Sequence, residues 1–180
     1  MKDLRIITVA VLLLLSRTAL VYAEGAGIEW DVLNQEAIDL YRQGKYDRAV
    51  VVAQQALEVA EQNVGPDHPD VATSLNNLAE FYNTQGDYGK SEPRHKRSLA
   101  IREKAFGPHH PDVAVSLNNL ASLYVAQGDY AKAEPRLKRS LAIKAKVLGP
   151  DHPDVALSLN NLASLYKTQG HYARAVRAID

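Results

Sequence analysis

The chain has 180 residues and no cysteine, and its 21 Lys plus Arg balance 21 Asp plus Glu. The missing thiol excludes disulfides, thiolate zinc sites, a cysteine nucleophile and a lipid-modified cysteine. The charge balance leaves no overall field to draw nucleic acid or an anionic surface, so no nucleic-acid partner is expected.

Residues 1–23 read as a signal peptide rather than as part of the fold. Lys2 and Arg5 form a basic start, Ile6 to Leu15 an apolar stretch, and Val21-Tyr22-Ala23 a small-residue site with cleavage expected after Ala23. Arg17 interrupts the apolar run after about ten residues, half of the roughly 20 that a membrane span needs. The expectation is therefore export, to the periplasm or outside the cell, and membrane association would require the segment to stay uncleaved. The chain has no Asn-x-Ser/Thr acceptor, which fits a bacterial source.

Residues 24–64 carry a diverged copy of a unit repeated more faithfully downstream. Leu33, Ala37, Leu40, Gly44, Tyr46, Ala49, Ala56 and Leu57 fall on the repeat's positions, but Glu36 stands where the other copies have Leu. The phrase GPxHPDVAxSLNNLAxxY then begins at Gly65, Gly107 and Gly149, a step of 42 residues each time. These starts divide the remainder into repeats at 65–106, 107–148 and a shortened 149–180. A unit of this length and regularity buries its apolar face only against its neighbours, which predicts a solenoid.

Each unit reads as two helices. In the 65–106 copy, helix A is predicted from Pro69 to about Gln85, with proline suited to the first helical position and Asp70 to the positive end of the helix dipole. Gly86 should end it in a left-handed turn, Asp87 should cap helix B, and helix B should run from Tyr88 to Phe106. Val71, Leu75, Leu78, Ala79 and Tyr82 share one side at 100° per residue and recur in both later copies, so they form the core face. Thr73, Asn77, Glu80 and Thr84 lie opposite. Pro93 and Pro135 fall inside helix B and are expected to bend it near its start.

The Leu120-Ala121-x-x-Tyr124 and Gly128-x-Tyr130-x-x-Ala133 spacing resembles the tetratricopeptide repeat. The 42-residue period, LNNLA core and HPDVA opening are similar to the variety found in kinesin light chains and bacterial relatives. The resemblance implies an all-α, right-handed superhelical solenoid of antiparallel helix pairs whose A helices line a concave groove. It also implies a non-catalytic scaffold for an extended segment of a protein or peptide partner.

On that basis Asn77, Asn119 and Asn161, with Gln35 in the diverged copy, form a ladder along the groove. An amide can pair with a partner's backbone without reading its side chains; the alternative is that these amides bond to neighbouring repeats. The columns that differ between copies would set selectivity: Thr73, Val115 and Leu157; Glu80, Ser122 and Ser164; and Lys167, at the end of the Asn83, Val125 column. Arg42 and Lys167 are the only basic residues at the places where the family's carboxylate-binding grooves carry several.

Other constellations read as structural. His68, His110 and His152 lie one per repeat, about 10 Å apart on neighbouring helices, too far to share an ion with ligands at about 2 Å. They mark helix entries, and no metal or cofactor is expected. Arg94, Lys96, Arg97, Arg102 and their counterparts Arg136, Lys138, Arg139, Lys144 read as a solvated outer face. The alternative is a contact with membrane or an acidic polymer. Nothing arranges a nucleophile elbow, phosphate loop or zinc-binding helix, so no enzyme is expected. A further alternative is a self-assembling structural protein or a piece of a longer array. The short last unit should leave Leu157, Leu159 and Leu165 partly uncovered and favour end-to-end association.

Overall fold

The computed structural model describes residues 29–171 together with Arg174 and Ala175; the expected signal segment and most of the span expected to form the last B helix lie outside the described residues. All regular structure among them is helical. Residues 29–42 form α1, followed by α2 (Tyr46–Val64), α3 (Pro69–Thr84), α4 (Tyr88–Phe106), α5 (Pro111–Ala126), α6 (Tyr130–Leu148) and α7 (Pro153–Thr168). The chain divides into two compact units, Met1–Pro66 and Asp67–Asp180.

In the first unit α1 and α2 pack through small side chains. Ala37, Ala49, Ala53, Ala56 and Ala60 are buried, with Leu40 and Val50 beside them, whereas Leu33 and Leu57 are only half-buried. Lys45 stands at the N-cap of α2 and makes no side-chain cap.

In the second unit the start of each A helix is fixed by three adjacent residues. The Nδ1 atoms of His68, His110 and His152 accept from the backbone N–H of Asp70, Asp112 and Asp154 at 3.2, 3.2 and 3.1 Å. Proline follows each histidine, where its missing N–H leaves nothing unpaired. The expected ends are observed. Gly86 has φ +76°, its N–H donates to Asn83 O, and the Asp87 N–H reaches back to Tyr82 O at 2.9 Å. Asp87 and Asp129 then cap α4 and α6 by accepting from the Lys90 and Lys132 N–H. Gly107, at φ +86° and ψ 161°, stops α4 in a region open almost only to glycine. Both α4 and α6 run through Pro93 and Pro135 as single elements.

The expected core face is buried, and the A helices bury a second face as well. Besides Val71, Leu75, Leu78, Ala79 and Tyr82, α3 buries Ala72, Ser74 and Phe81. An inner helix of a stack touches its own partner and the next repeat, so it needs two apolar stripes. Hydroxyls stitch A to B at the closest approaches. Ser98 Oγ donates to Ala72 O and Ser140 Oγ to Ala114 O, each at 2.7 Å, and Ser91 Oγ donates to Ala79 O at 2.8 Å. Neighbouring repeats are tied by Tyr124 Oη donating to Glu92 Oε1 at 2.8 Å and Tyr166 Oη to Glu134 Oε1 at 3.0 Å. At the last repeat Leu157 is 55% exposed, but Leu165 is buried with Leu137, Leu123 and Tyr166, and Ala175 packs against the same cluster. Leu165 is therefore covered, because its side of α7 faces the preceding repeat.

Candidate functional site

The A-helix face opposite the core carries the residues that differ between copies. Between α5 and α7 it opens a cleft of about 180 Å³. Ser122 and Val125 line it from α5, Asn161, Ser164, Leu165 and Thr168 from α7, and Leu137 reaches it from α6. Three residues singled out from sequence, Ser122, Asn161 and Ser164, are thus brought together. The others stand apart from this cleft: Val115, Leu157 and Lys167 are exposed, and Thr73, Asn77 and Glu80 are partly buried on α3. Gln35 lies in the first unit, where its amide donates to Asp39 at 3.0 Å and it lines a separate 540 Å³ hollow with Val32, Lys45 and Arg48.

The asparagine pairs have a defined geometry. Asn119 Nδ2 donates to Asn76 Oδ1 at 2.9 Å, and Asn161 Nδ2 donates to Asn118 Oδ1 at 3.1 Å. The second amide of each repeat therefore holds the first amide of the repeat before it. Because Asn161 also lines the cleft, bonding between repeats and facing the cleft are compatible for one side chain.

One period earlier, Leu137 is replaced by His95 and Ser122 by Glu80. The His95 side chain is fully buried, and neither ring nitrogen has a hydrogen-bond partner. Burial, helped by the nearby Arg102 charge, pulls its pKa down to about 4, so the ring is neutral at pH 7. Its Nε2 lies 3.9 Å from Glu80 Oε2, too far for a hydrogen bond. Glu80 has lost enough water for its pKa to rise, yet its side chain remains 43% exposed.

Arg102 bridges α3 and α5 and does not join an outer stripe. Its guanidinium is half-buried and donates to Ser116 Oγ at 2.8 Å and, more weakly, to Thr73 Oγ1 at 3.5 Å. The remaining basic residues are largely engaged within the fold. Lys96 and Lys138 pair with Glu92 and Glu134, and Arg139 pairs with Glu103. Arg94 and Arg136 donate to the carbonyls of Lys90 and Lys132 and lie over the Tyr82 and Tyr124 rings. These internal partners, together with the Tyr124 and Tyr166 hydroxyls, hold Glu92 and Glu134 below the usual carboxylate range.

Sequence reasoning missed His95 and the inward course of Arg102. The available signal was the exchange of His95 for Leu137 one period on, which marks a core position. The repeat histidines act as helix caps, and no group of three or more His, Cys, Asp or Glu among the described residues is placed to hold a metal ion. No helix among them is long and apolar enough to cross a membrane.

Comparison with known proteins agrees with this architecture. The crystal structure of BtubC (BKLC) from P. vanneervenii superposes with a TM-score of 0.79 at 26% identity, covering 86% of this chain and 62% of that one. A Podosopora anserina putative kinesin light chain with nearly identical TPR-like repeats gives 0.75 at 26% identity, covering 82% and 70%. The apo form of RapI shares the fold alone, at 0.69 and 18% identity over 83% of this chain and 40% of that one. This chain thus spans about six-tenths of BtubC. None of the curated proteins matches. Helix-pair repeats of this kind serve as protein-interaction scaffolds and are typically non-catalytic. The tetratricopeptide repeat model matches residues 31–104, 70–146 and 117–179, and the chain belongs to the tetratricopeptide repeat family.

Proposed function

We propose that this protein is an exported, non-catalytic scaffold that holds an extended segment of a partner protein across its A helices. The observation that carries this reading is the cleft between α5 and α7. There the Asn161 amide and the hydroxyls of Ser122, Ser164 and Thr168 surround the apolar floor of Leu137 and Leu165. Hydroxyls and an amide can satisfy a peptide backbone while the apolar floor takes a side chain, the usual division of labour in a ligand cleft. The internal pairing of the basic residues supports this face over the basic one.

Ser122 and Ser164 are exposed, so Ser122→Arg plus Ser164→Arg fills the cleft without disturbing the core. Peptides selected from a random 12-residue display library on the full chain should lose binding to this double variant while helicity stays unchanged. Undiminished binding of every selected peptide would refute the reading. Export rests on residues 1–23 and is tested by mass: the exported chain should begin at Glu24.

A further inference from the structure

Glu80 and His95 make the junction between α3 and α5 chemically unlike the one that follows it. Stepping back 42 positions from the lining of the cleft between α5 and α7 places Glu80 and Asn83 on α3, His95 on α4, and Asn119 and Ser122 on α5. Glu80 is a partly dehydrated carboxylate, and the buried His95 ring 3.9 Å from it is neutral at pH 7. Arg102 is held by Ser116 and Thr73, at the level of a residue seven positions from Glu80 along α3, or roughly 10 Å of helix. A carboxylate that has lost water without gaining a cation is stabilised by a ligand that brings one.

We propose that the junction between α3 and α5 takes a lysine or arginine side chain of the partner on the exposed side of the Glu80 carboxylate, while the cleft between α5 and α7 takes an aliphatic side chain. This inference rests on the groove reading above and specifies its sequence preference. The two positions are offset by one helix spacing, about 10 Å. Extended chain advances about 3.3 Å per residue and its side chains alternate in direction, so the basic and aliphatic residues that face the same surface stand two or four positions apart. The cleft between α5 and α7 suits an aliphatic group because Leu137, Leu165 and Val125 line it and no charged residue among the described ones does. Serine already occupies the Glu80 column in both later repeats, so Glu80→Ser introduces nothing foreign to the fold.

The test selects random 12-residue displayed peptides against the full chain, then measures synthetic copies by fluorescence anisotropy. The expected winners carry Lys or Arg two or four positions from Val, Ile or Leu. They should bind at least about tenfold more tightly than the same peptides with Gln at the basic position. Glu80→Ser should abolish that discrimination and retain the aliphatic preference, and added salt should shrink it. If the selected peptides are blocked by Ser122→Arg plus Ser164→Arg but show no basic preference, or keep it in Glu80→Ser, the inference is overturned and the groove reading stands. If no selected peptide responds to the blocking pair, both fall.

Discussion

The two junctions between consecutive A helices in the second unit share one backbone plan and differ in chemistry. Between α3 and α5 the cleft side carries Thr73, Glu80, His95 and Arg102; between α5 and α7 the same positions are Val115, Ser122, Leu137 and Lys144. Both junctions keep the amide bond between repeats and the Tyr–Glu bond. The shared bonds fix how repeats stack, and the four exchanged positions are left to vary together. His95 stands beside the Glu80 carboxylate, whereas Leu137 has the neutral Ser122 at the corresponding position and hydroxyls and an amide around it.

Moving the polar residue into the junction between α5 and α7 should have the largest effect. Leu137→His removes a well-packed side chain and buries two ring nitrogens, for about 3–5 kcal/mol at pH 7. Urea unfolding at pH 7 checks this. A loss below about 1 kcal/mol would mean that the two junctions are equivalent environments and that the comparison fails.

The reverse exchange is next in size and depends on pH. His95 ordinarily titrates near 6.5, and its folded-state value is about 4. Between those values the unfolded chain binds more protons, so stability rises with pH through that window and is lost as pH falls from 6.5 towards 4. The full loss is about 3 kcal/mol. Glu80 acts in the opposite sense: its raised pKa makes the folded state take up a proton first on acidification, which offsets part of the loss. His95→Leu should flatten the pH dependence of the urea midpoint in this window. An unchanged slope would show that His95 is not the acid-sensitive group.

Loss of a shared bond should affect both junctions alike. Tyr124→Phe and Tyr166→Phe each remove one hydroxyl bond to a partly exposed glutamate, at a cost of about 1 kcal/mol. Thermal unfolding of the two variants should agree within about 0.5 kcal/mol. A clear inequality would place the difference between the junctions in their stacking rather than in the exchanged side chains.

Much of this was legible in the sequence because repetition exposes punctuation. Helix A was expected from Pro69 to about Gln85 and ends at Thr84 with Gln85 as its cap; helix B was expected from Tyr88 to Phe106 and spans those residues. Proline at the first position, glycine at the left-handed turn and aspartate at the cap act locally, so no tertiary knowledge is needed. The second buried face was not legible from one helix wheel. Ser74, Ser91 and Ser98 look like surface residues until a neighbouring helix closes over them. His95 was passed over and Arg102 assigned to the outer face for a related reason: a polar or charged residue on helix B projects as solvent-facing unless the next repeat is already in position. The paired asparagines stood out by recurrence, but recurrence alone does not separate an amide that faces a partner from one that holds a neighbour. Asn161 touches both the neighbouring repeat and the cleft.

The smallest expected effect concerns the basic residue of each junction. Arg102 spans two helices because its planar fork meets Ser116 Oγ on α5 at 2.8 Å and Thr73 Oγ1 on α3 at 3.5 Å. The second contact is at the limit of a hydrogen bond and adds little. Arg102→Lys keeps the charge and retains enough reach for one hydroxyl, so about 0.5–1 kcal/mol should be lost. The reciprocal change, Lys144→Arg, meets Val115 where Arg102 meets Thr73, and Ser158 there already donates its hydroxyl to Asp154 O at 2.9 Å. Ser158 Oγ keeps its acceptor lone pairs, which a lysine ammonium can use as well as a guanidinium, and Val115 offers no second acceptor, so Lys144→Arg should be neutral within about 0.5 kcal/mol. Paired urea titrations of the two variants measure the asymmetry. If Lys144→Arg stabilises the chain as much as Arg102→Lys destabilises it, the guanidinium acts through general packing along the stack, and the Thr73–Arg102–Ser116 seam is not what distinguishes the first junction.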